Sequence, residues 1–143
     1  VVGLRVAAVV LCALPWVAAL HIAPGWFEHV VELTFLPLCH HWPARVLSFD
    51  GVPMCVCSRC AGLYAGLAIG FAFRAPSLSD RAYARILVVG LVVTVLDVIT
   101  QDAGFHAPCH PVRLATGAWL GWTAASWMLA TSSRRSRPEP LPG

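Results

Sequence analysis

The sequence predicts an all-α, polytopic membrane protein: a four-transmembrane-helix bundle forming a single domain over residues 1–143, with a short interfacial helix and a Cys/His-rich outer loop. Three observations predict it. Mean hydropathy is +0.72, and 58% hydrophobic residues stand against 12% charged ones, more apolar surface than a soluble domain of this size can bury. Four apolar runs approach the ~20 residues that a helix needs to cross a hydrocarbon core of ~30 Å. The ten basic residues, every one an arginine, are shared unevenly between alternate loops.

The first run covers residues 1–20. A signal peptide would also combine Arg5 with a short apolar stretch, but "VAALHIAPG" offers no small-x-small cleavage site. The chain opens on Val rather than Met, which leaves its natural start open. The second run, 54–73, carries Gly62, Gly66 and Gly70 at every fourth position, a face that lets another helix approach closely. The third, 82–101, is built around "ILVVGLVVTVLDVI", and the fourth, 114–130, repeats the small-residue device with Gly117 and Gly121. With no alternation of apolar and polar residues, helices are how these runs satisfy their backbone in lipid.

The connecting segments divide by charge. Arg5, Arg74, Arg81, Arg85, Arg134, Arg135 and Arg137 belong to one side; Arg45, Arg59 and Arg113 belong to the other. Seven against three is a positive-inside pattern that puts both termini in the cytoplasm of a cell whose inner membrane the chain crosses. The net charge of +3 follows from that topology and implies no nucleic-acid partner. The bilayer is the expected partner, with a second copy or another membrane protein as a further class. In the outer loop, 21–53, "PGWFEHVVELTF" sets Trp26, Phe27, Val30 and Val31 to one side and Glu28, His29 and Glu32 nearer the other, the pattern of an interfacial helix. Its simplest role is an aromatic-belt connector. "CHHWPARVLSFDGVP" then reads as a Pro- and Gly-punctuated loop without regular structure. The second outer loop covers 102–113, and the tail 131–143 reads as a disordered, lipid-proximal end.

This topology sorts the chemistry. All six histidines (21, 29, 40, 41, 106 and 110) and five of six cysteines (39, 55, 57, 60 and 109) fall in outer loops or at outer helix ends. Cys12, mid-span, reads as a small hydrophobe. Cys39-His40 and Cys57-x-x-Cys60, with sixteen residues between His40 and Cys57, have the two-knuckle spacing of a zinc site. A CxxC entering a helix lets two thiolates converge on one ion, and the helix N-terminus favours the thiolate. The same pair is compatible with a redox-active disulfide, or with a structural disulfide of an extracytoplasmic loop. Cys55, Cys109 and His110 are possible extra ligands, or Cys55 and Cys109 a disulfide pair. Asp97 and Gln101, at i and i+4 near the outer end of the third run, mark a polar site, because a carboxylate at that depth is costly without a partner. Arg59 and Arg113 lie at the same level as ion-pair partners, anion clamps or snorkelling anchors, and Arg45 shares the last two roles.

Taken in order, "CHHWPARVLSF", "CSRCAGLYAG", "LDVITQ" and "RLATGAWLG" resemble the prokaryotic membrane proteins grouped as the DUF2085 family, a domain of unknown function. The likeness runs over residues 38–121 and matches Cys39, His40, Pro43, Arg45, Cys57, Arg59, Cys60, Gly62, Tyr64, Gly66, Asp97, Gln101, Arg113, Thr116 and Gly117. It implies a polytopic protein and carries no established activity. His41 and the stretch "DAGFHAPCHPVR" depart from the usual pattern, which makes Cys109 and His110 features of this chain. In layout alone, four spans with a CxxC opening the second are similar to quinone-coupled thiol oxidases of the bacterial inner membrane. Here the second outer loop holds only Cys109, and no quinone motif is present.

The sequence therefore predicts an outward-facing metal site, Zn2+ first, with Cys39, His40, Cys57 and Cys60 as ligands. Beside it would lie a polar pocket of Arg45, Tyr64, Asp97, Gln101, Arg113 and Thr116, with Asp97, Arg59 and Arg113 as catalytic candidates for an unidentified substrate. The alternatives are a thiol–disulfide oxidoreductase using Cys57 and Cys60 with a quinone, and a scaffold with a structural disulfide. No Ser-His-Asp signature, phosphate loop or nucleic-acid motif is present.

Overall fold

A computed structural model describes residues 2–22, 24–39, 42–49, 51–73 and 76–135. In chain order these form α1 (Val2–Ala19), α2 (Gly25–Phe35), a hairpin of β1 (Val46–Phe49) and β2 (Val52–Cys57), then α3 (Ser58–Ala72), α4 (Asp80–Asp102) and α5 (His110–Arg135). Single 3-10 turns at Leu36–Leu38 and Pro43–Arg45 lead from α2 into the hairpin.

The most extensive helix contact is α3 against α5, and its cause is legible in the glycines. A Cβ on Gly62 or Gly66 would stand 2.1 Å from the carbonyl oxygen of Leu114 or Ala118, and one on Gly117 or Gly121 would stand 2.2 Å from that of Arg59 or Leu63. Each helix thus lays its backbone in the groove left by the other's missing side chains. The paired residues ascend together, so α3 and α5 run parallel.

Side-chain hydrogen bonds set the other directions. Arg5 donates to the Phe73 carbonyl at 3.0 Å and the Trp16 indole to that of Ala61 at 3.1 Å, so α1 is antiparallel to α3. Trp127 and Arg134 reach Asp80 at 2.9 and 3.0 Å, while Arg113 reaches Gln101 at 2.7 Å, so α4 is antiparallel to α5. Ser79 caps α4, its hydroxyl accepting from the Ala82 amide at 3.2 Å. Four helices therefore alternate in direction. One end gathers Arg5, Phe73, Asp80 and Arg134; the other gathers α2, the hairpin, and the first turns of α3 and α5.

The buried apolar core lies at the hairpin end rather than mid-bundle. Ala18, Ala19, Val31, Phe35, Val46, Met54, Val56 and Ala61 pack there around Cys39. Phe35 meets Tyr64 edge-on, ring centroids 5.0 Å apart, which seats α2 on α3. Along the helices, by contrast, large apolar side chains point outward: Leu4, Val6, Val10 and Leu11 on α1, and Val88, Val89, Leu91, Val92, Leu96 and Ile99 on α4.

The structure corrects three expectations. The fold is mostly helical but not all-α, since residues expected to form an irregular loop form the β1–β2 hairpin. Phe49 pairs with Val52, and in the connection between them Gly51 has φ +83°, a left-handed value that favours glycine. Met54 to Cys57, expected to open the second apolar helix, are strand, and α3 has only 15 residues. Among the described residues, two helices, α1 and α4, are long and apolar enough to cross a membrane. Helix α5 has the length, at 26 residues, but three tryptophans and a run of Gly, Thr and Ser lower its hydropathy. Finally, α2 forms as expected but splits its apolar set, burying Val31 and Phe35 while Trp26 and Val30 face out.

Candidate functional site

Three cysteines meet where the hairpin turns into α3. Cys57 ends β2 with extended backbone angles and so serves as the N-cap of α3, and Cys60 lies in that helix's first turn. Cys39 comes from the far side of the hairpin, after the turn that ends α2. The three sulfurs lie within 4.8 Å of one another. The Cys57 amide donates to the Cys39 sulfur at 3.2 Å, and the Ser58 hydroxyl donates to the Arg45 carbonyl at 3.2 Å, tying the start of β1 to the start of α3. Ser58 and Val56 are fully buried, so the strand-to-helix junction that carries Cys57 is rigidly packed.

Environment separates two of the thiols. A hydrogen bond from the Cys60 thiol, with further donors at the Cys60 amide, Cys39 and the Arg59 amide, holds Cys57 well below the usual thiol range despite partial burial. Burial pushes Cys39 the other way, and the Cys57 amide offsets only part of that rise. A depressed Cys57 beside two further sulfurs is the donor set of a soft or borderline metal ion.

Next to the sulfurs, α4 presents a row of polar groups to three arginines. Arg59, one residue before Cys60, forms a partly buried ion pair with Asp97. Arg113, 3% exposed at the start of α5, donates to the Gln101 side chain, itself 9% exposed, at 2.7 Å. Arg45 completes the row by pairing with Asp102 while its guanidinium lies 5.3 Å from the Trp42 ring centre. The hairpin end of the bundle is therefore laced together by three arginines from three elements, all directed at the last turns of α4.

Other expected site residues fall apart from this group. Tyr64, one turn below Cys60, packs on Phe35. Thr116 is buried, and its hydroxyl bonds back to the carbonyls of Val112 and Arg113 within its own helix. Cys109 is exposed and His110 half-buried at the start of α5. Cys55 lines a separate cavity of about 450 Å³ beside His21, Glu28, Glu32 and Met54. His40 lies outside the described residues.

Asp102 and Ser58 were not among the expected site residues. Asp102 adjoins Gln101 in sequence and takes Arg45, and the hint was its place beside the Asp97/Gln101 face. The anchoring role of Ser58 depends on the hairpin, which "FDGV" between two short apolar runs announces only to a reader already looking for a strand pair.

Residues 39–127, from Cys39 through α5, match the family described as predicted membrane protein, DUF2085. An uncharacterized protein of Methanothermobacter thermautotrophicus is 33% identical over 94 residues, covering 64% of this chain and 85% of the relative. An uncharacterized protein of Methanocaldococcus jannaschii is 29% identical over 97 residues, 64% of this chain and 62% of that relative, so the chain spans less than two thirds of its length. No solved structure matches. With the family matched over more than half of its length, beginning at the first cysteine of the thiol group, the chain belongs to the DUF2085 family of predicted membrane proteins.

Proposed function

We propose that this is an inner-membrane protein of four spans, both termini cytoplasmic, which holds a zinc-class ion on its extracytoplasmic side through Cys39, Cys57 and Cys60, with His40 as fourth ligand. The observation that carries the reading is the approach of three sulfurs from two sides of the hairpin to within 4.8 Å. A tetrahedral ion with metal–sulfur distances of about 2.3 Å sets its sulfurs ~3.8 Å apart, so inward shifts under about 1 Å close the set. With four protein ligands the centre is structural and clamps the hairpin and the end of α2 onto α3; with a water in place of His40 the ion would supply Lewis-acid chemistry.

The membrane reading gains support from the outward-facing apolar belts of α1 and α4 and from the arginine-rich end opposite the sulfurs. At 1.5 Å per residue α3 is only ~23 Å long, short of the ~30 Å hydrocarbon core. A short span of this kind is accommodated by local thinning of the bilayer, which leaves the hairpin and its thiols, with Val56 fully buried and α2 packed alongside, at the outer surface.

A second reading rests on the depressed Cys57 thiol, whose sulfur lies within 4.8 Å of that of Cys60. Oxidation of Cys57 and Cys60 to a disulfide would release two electrons and two protons, which a quinone would take up as quinol. Two measurements on the full-length protein test the readings: metal content after purification in detergent under reducing, chelator-free conditions, and thiol state after alkylation in intact cells before lysis. About one bound ion per chain, lost in Cys57→Ser and Cys60→Ser, is expected. Metal-free protein overturns the first reading, and thiols that never oxidise in the cell overturn the second.

A further inference from the structure

We propose that the hairpin end of the α3–α4–α5 packing is a binding site for a phosphate-class oxyanion, held by the Arg59 Nε–H, the Arg113 Nε–H and the side-chain amide of Gln101. These three groups are buried and have no hydrogen-bond partner among the described residues. Native interiors leave few such groups unmatched. All three are donors. Arginine has no acceptor, and because the Arg113 guanidinium can only donate to Gln101, that contact fixes the amide with its oxygen toward Arg113 and its NH2 turned away. The missing group is therefore an acceptor.

Charge points the same way. Asp97 answers Arg59 and Asp102 answers Arg45, whereas Arg113, 3% exposed, meets the neutral Gln101 amide and, among the described residues, no carboxylate. Burying a guanidinium without a carboxylate is costly. A water would satisfy the donors one at a time and leave the charge. An oxyanion answers both, and because the donors belong to three different helices, a tetrahedral group with oxygens in several directions suits them better than a planar carboxylate. The site is built by the same close packing that joins the helices, since Gly117 rests on the Arg59 carbonyl.

This proposal stands on the donors and needs no ion at the sulfurs, so its failure would leave the thiol centre untouched. The anion has two sources of one chemistry, a free phosphate compound or a phospholipid headgroup. The experiment is thermal unfolding of the delipidated full chain in detergent, titrated either with inorganic phosphate against chloride of matched ionic strength or with phosphatidylglycerol in mixed micelles. A saturable rise in melting temperature is expected in at least one arm. Response to phosphate assigns a free anion; response to phosphatidylglycerol alone assigns a headgroup. Arg113→Gln should weaken the response about 10- to 100-fold. Gln101→Glu, which gives Arg113 a carboxylate and so keeps the fold intact, should abolish it while bound metal is retained. No rise beyond chloride in either arm, or a full wild-type response in Gln101→Glu, overturns the proposal.

Discussion

The Cys57 amide donates to the sulfur of Cys39 at 3.2 Å across eighteen residues of chain. That bond fixes the sulfur of the Cys39-His40 element over the helix N-terminus that carries the CxxC element, while burial at Cys39 and the neighbouring Cys60 thiol leave the two sulfurs chemically unequal. Cys57 is held below the usual thiol range, Cys39 above it. In chelator-treated, reduced protein, iodoacetamide at about pH 6.5 should therefore modify Cys57 well before Cys39. The sign is that of an acid: a lowered pKa keeps the thiolate populated as pH falls below the ordinary thiol value, and a raised one removes it. Mass spectrometry of digested protein measures the order, and equal rates at that pH would contradict it.

Metal loading should silence the same reaction. Cys55 lines a different cavity and Cys109 is exposed, and neither belongs to the three-sulfur group. Cys55→Ser and Cys109→Ser should keep wild-type metal content, while Cys39→Ser, Cys57→Ser and Cys60→Ser should lose most of it. Elemental analysis of the five proteins decides between a specific centre and thiol-rich adventitious binding.

Asp97 is the counter-charge of Arg59, and both side chains are largely buried. Asp97→Asn should destabilise the protein by about 3–5 kcal/mol, because it leaves a buried guanidinium unanswered. Replacing both residues with leucine should recover most of that loss. Unfolding in detergent measures it, and an equal loss in single and double variants would show that the pair matters through packing instead.

Gly66→Ala and Gly117→Ala each aim a Cβ at a backbone oxygen, 2.1 and 2.2 Å away. Backbone cannot swing aside as a flexible side chain can, so each should cost at least the ~1–3 kcal/mol typical of overpacking. Gly3→Ala, with nothing within 4 Å, is the neutral control.

The proposed topology has its own measurement. A cytoplasmic reporter fused after Arg137 should be active, and a membrane-impermeant maleimide should reach Cys109 from outside the cell. An inactive reporter would move the thiol centre to the cytoplasm.

Much of this was legible in the chain. Four helices alternate in direction, and the small-residue spacing of Gly62, Gly66, Gly117 and Gly121 lies in the α3–α5 contact, because a period-four pattern is local and maps directly onto one helix face. The cysteine spacing picked out Cys39, Cys57 and Cys60, which converge. The hairpin was not legible, because β1 and β2 have only four and six residues and stand only through cover from α2 and α3. The length of α3 was not legible either, since "VPMCVC" is as apolar as the helix it precedes, and hydropathy alone does not separate a buried strand from a buried helix.

By itself, then, the sequence determined what is local: apolar helices, their small-residue faces, an arginine-poor end carrying the sulfurs, and family membership through ordered motifs. Only the tertiary structure decided which charges meet. Arg59 and Arg113 were equivalent candidates for Asp97, and Arg45 had no evident carboxylate. The glycine-set register of α3 on α5 gives Asp97 to Arg59, gives Gln101 to Arg113, and leaves Asp102 for Arg45. Ion pairs depend on distances of a few ångströms between segments dozens of residues apart, and such distances exist only once the backbones have packed.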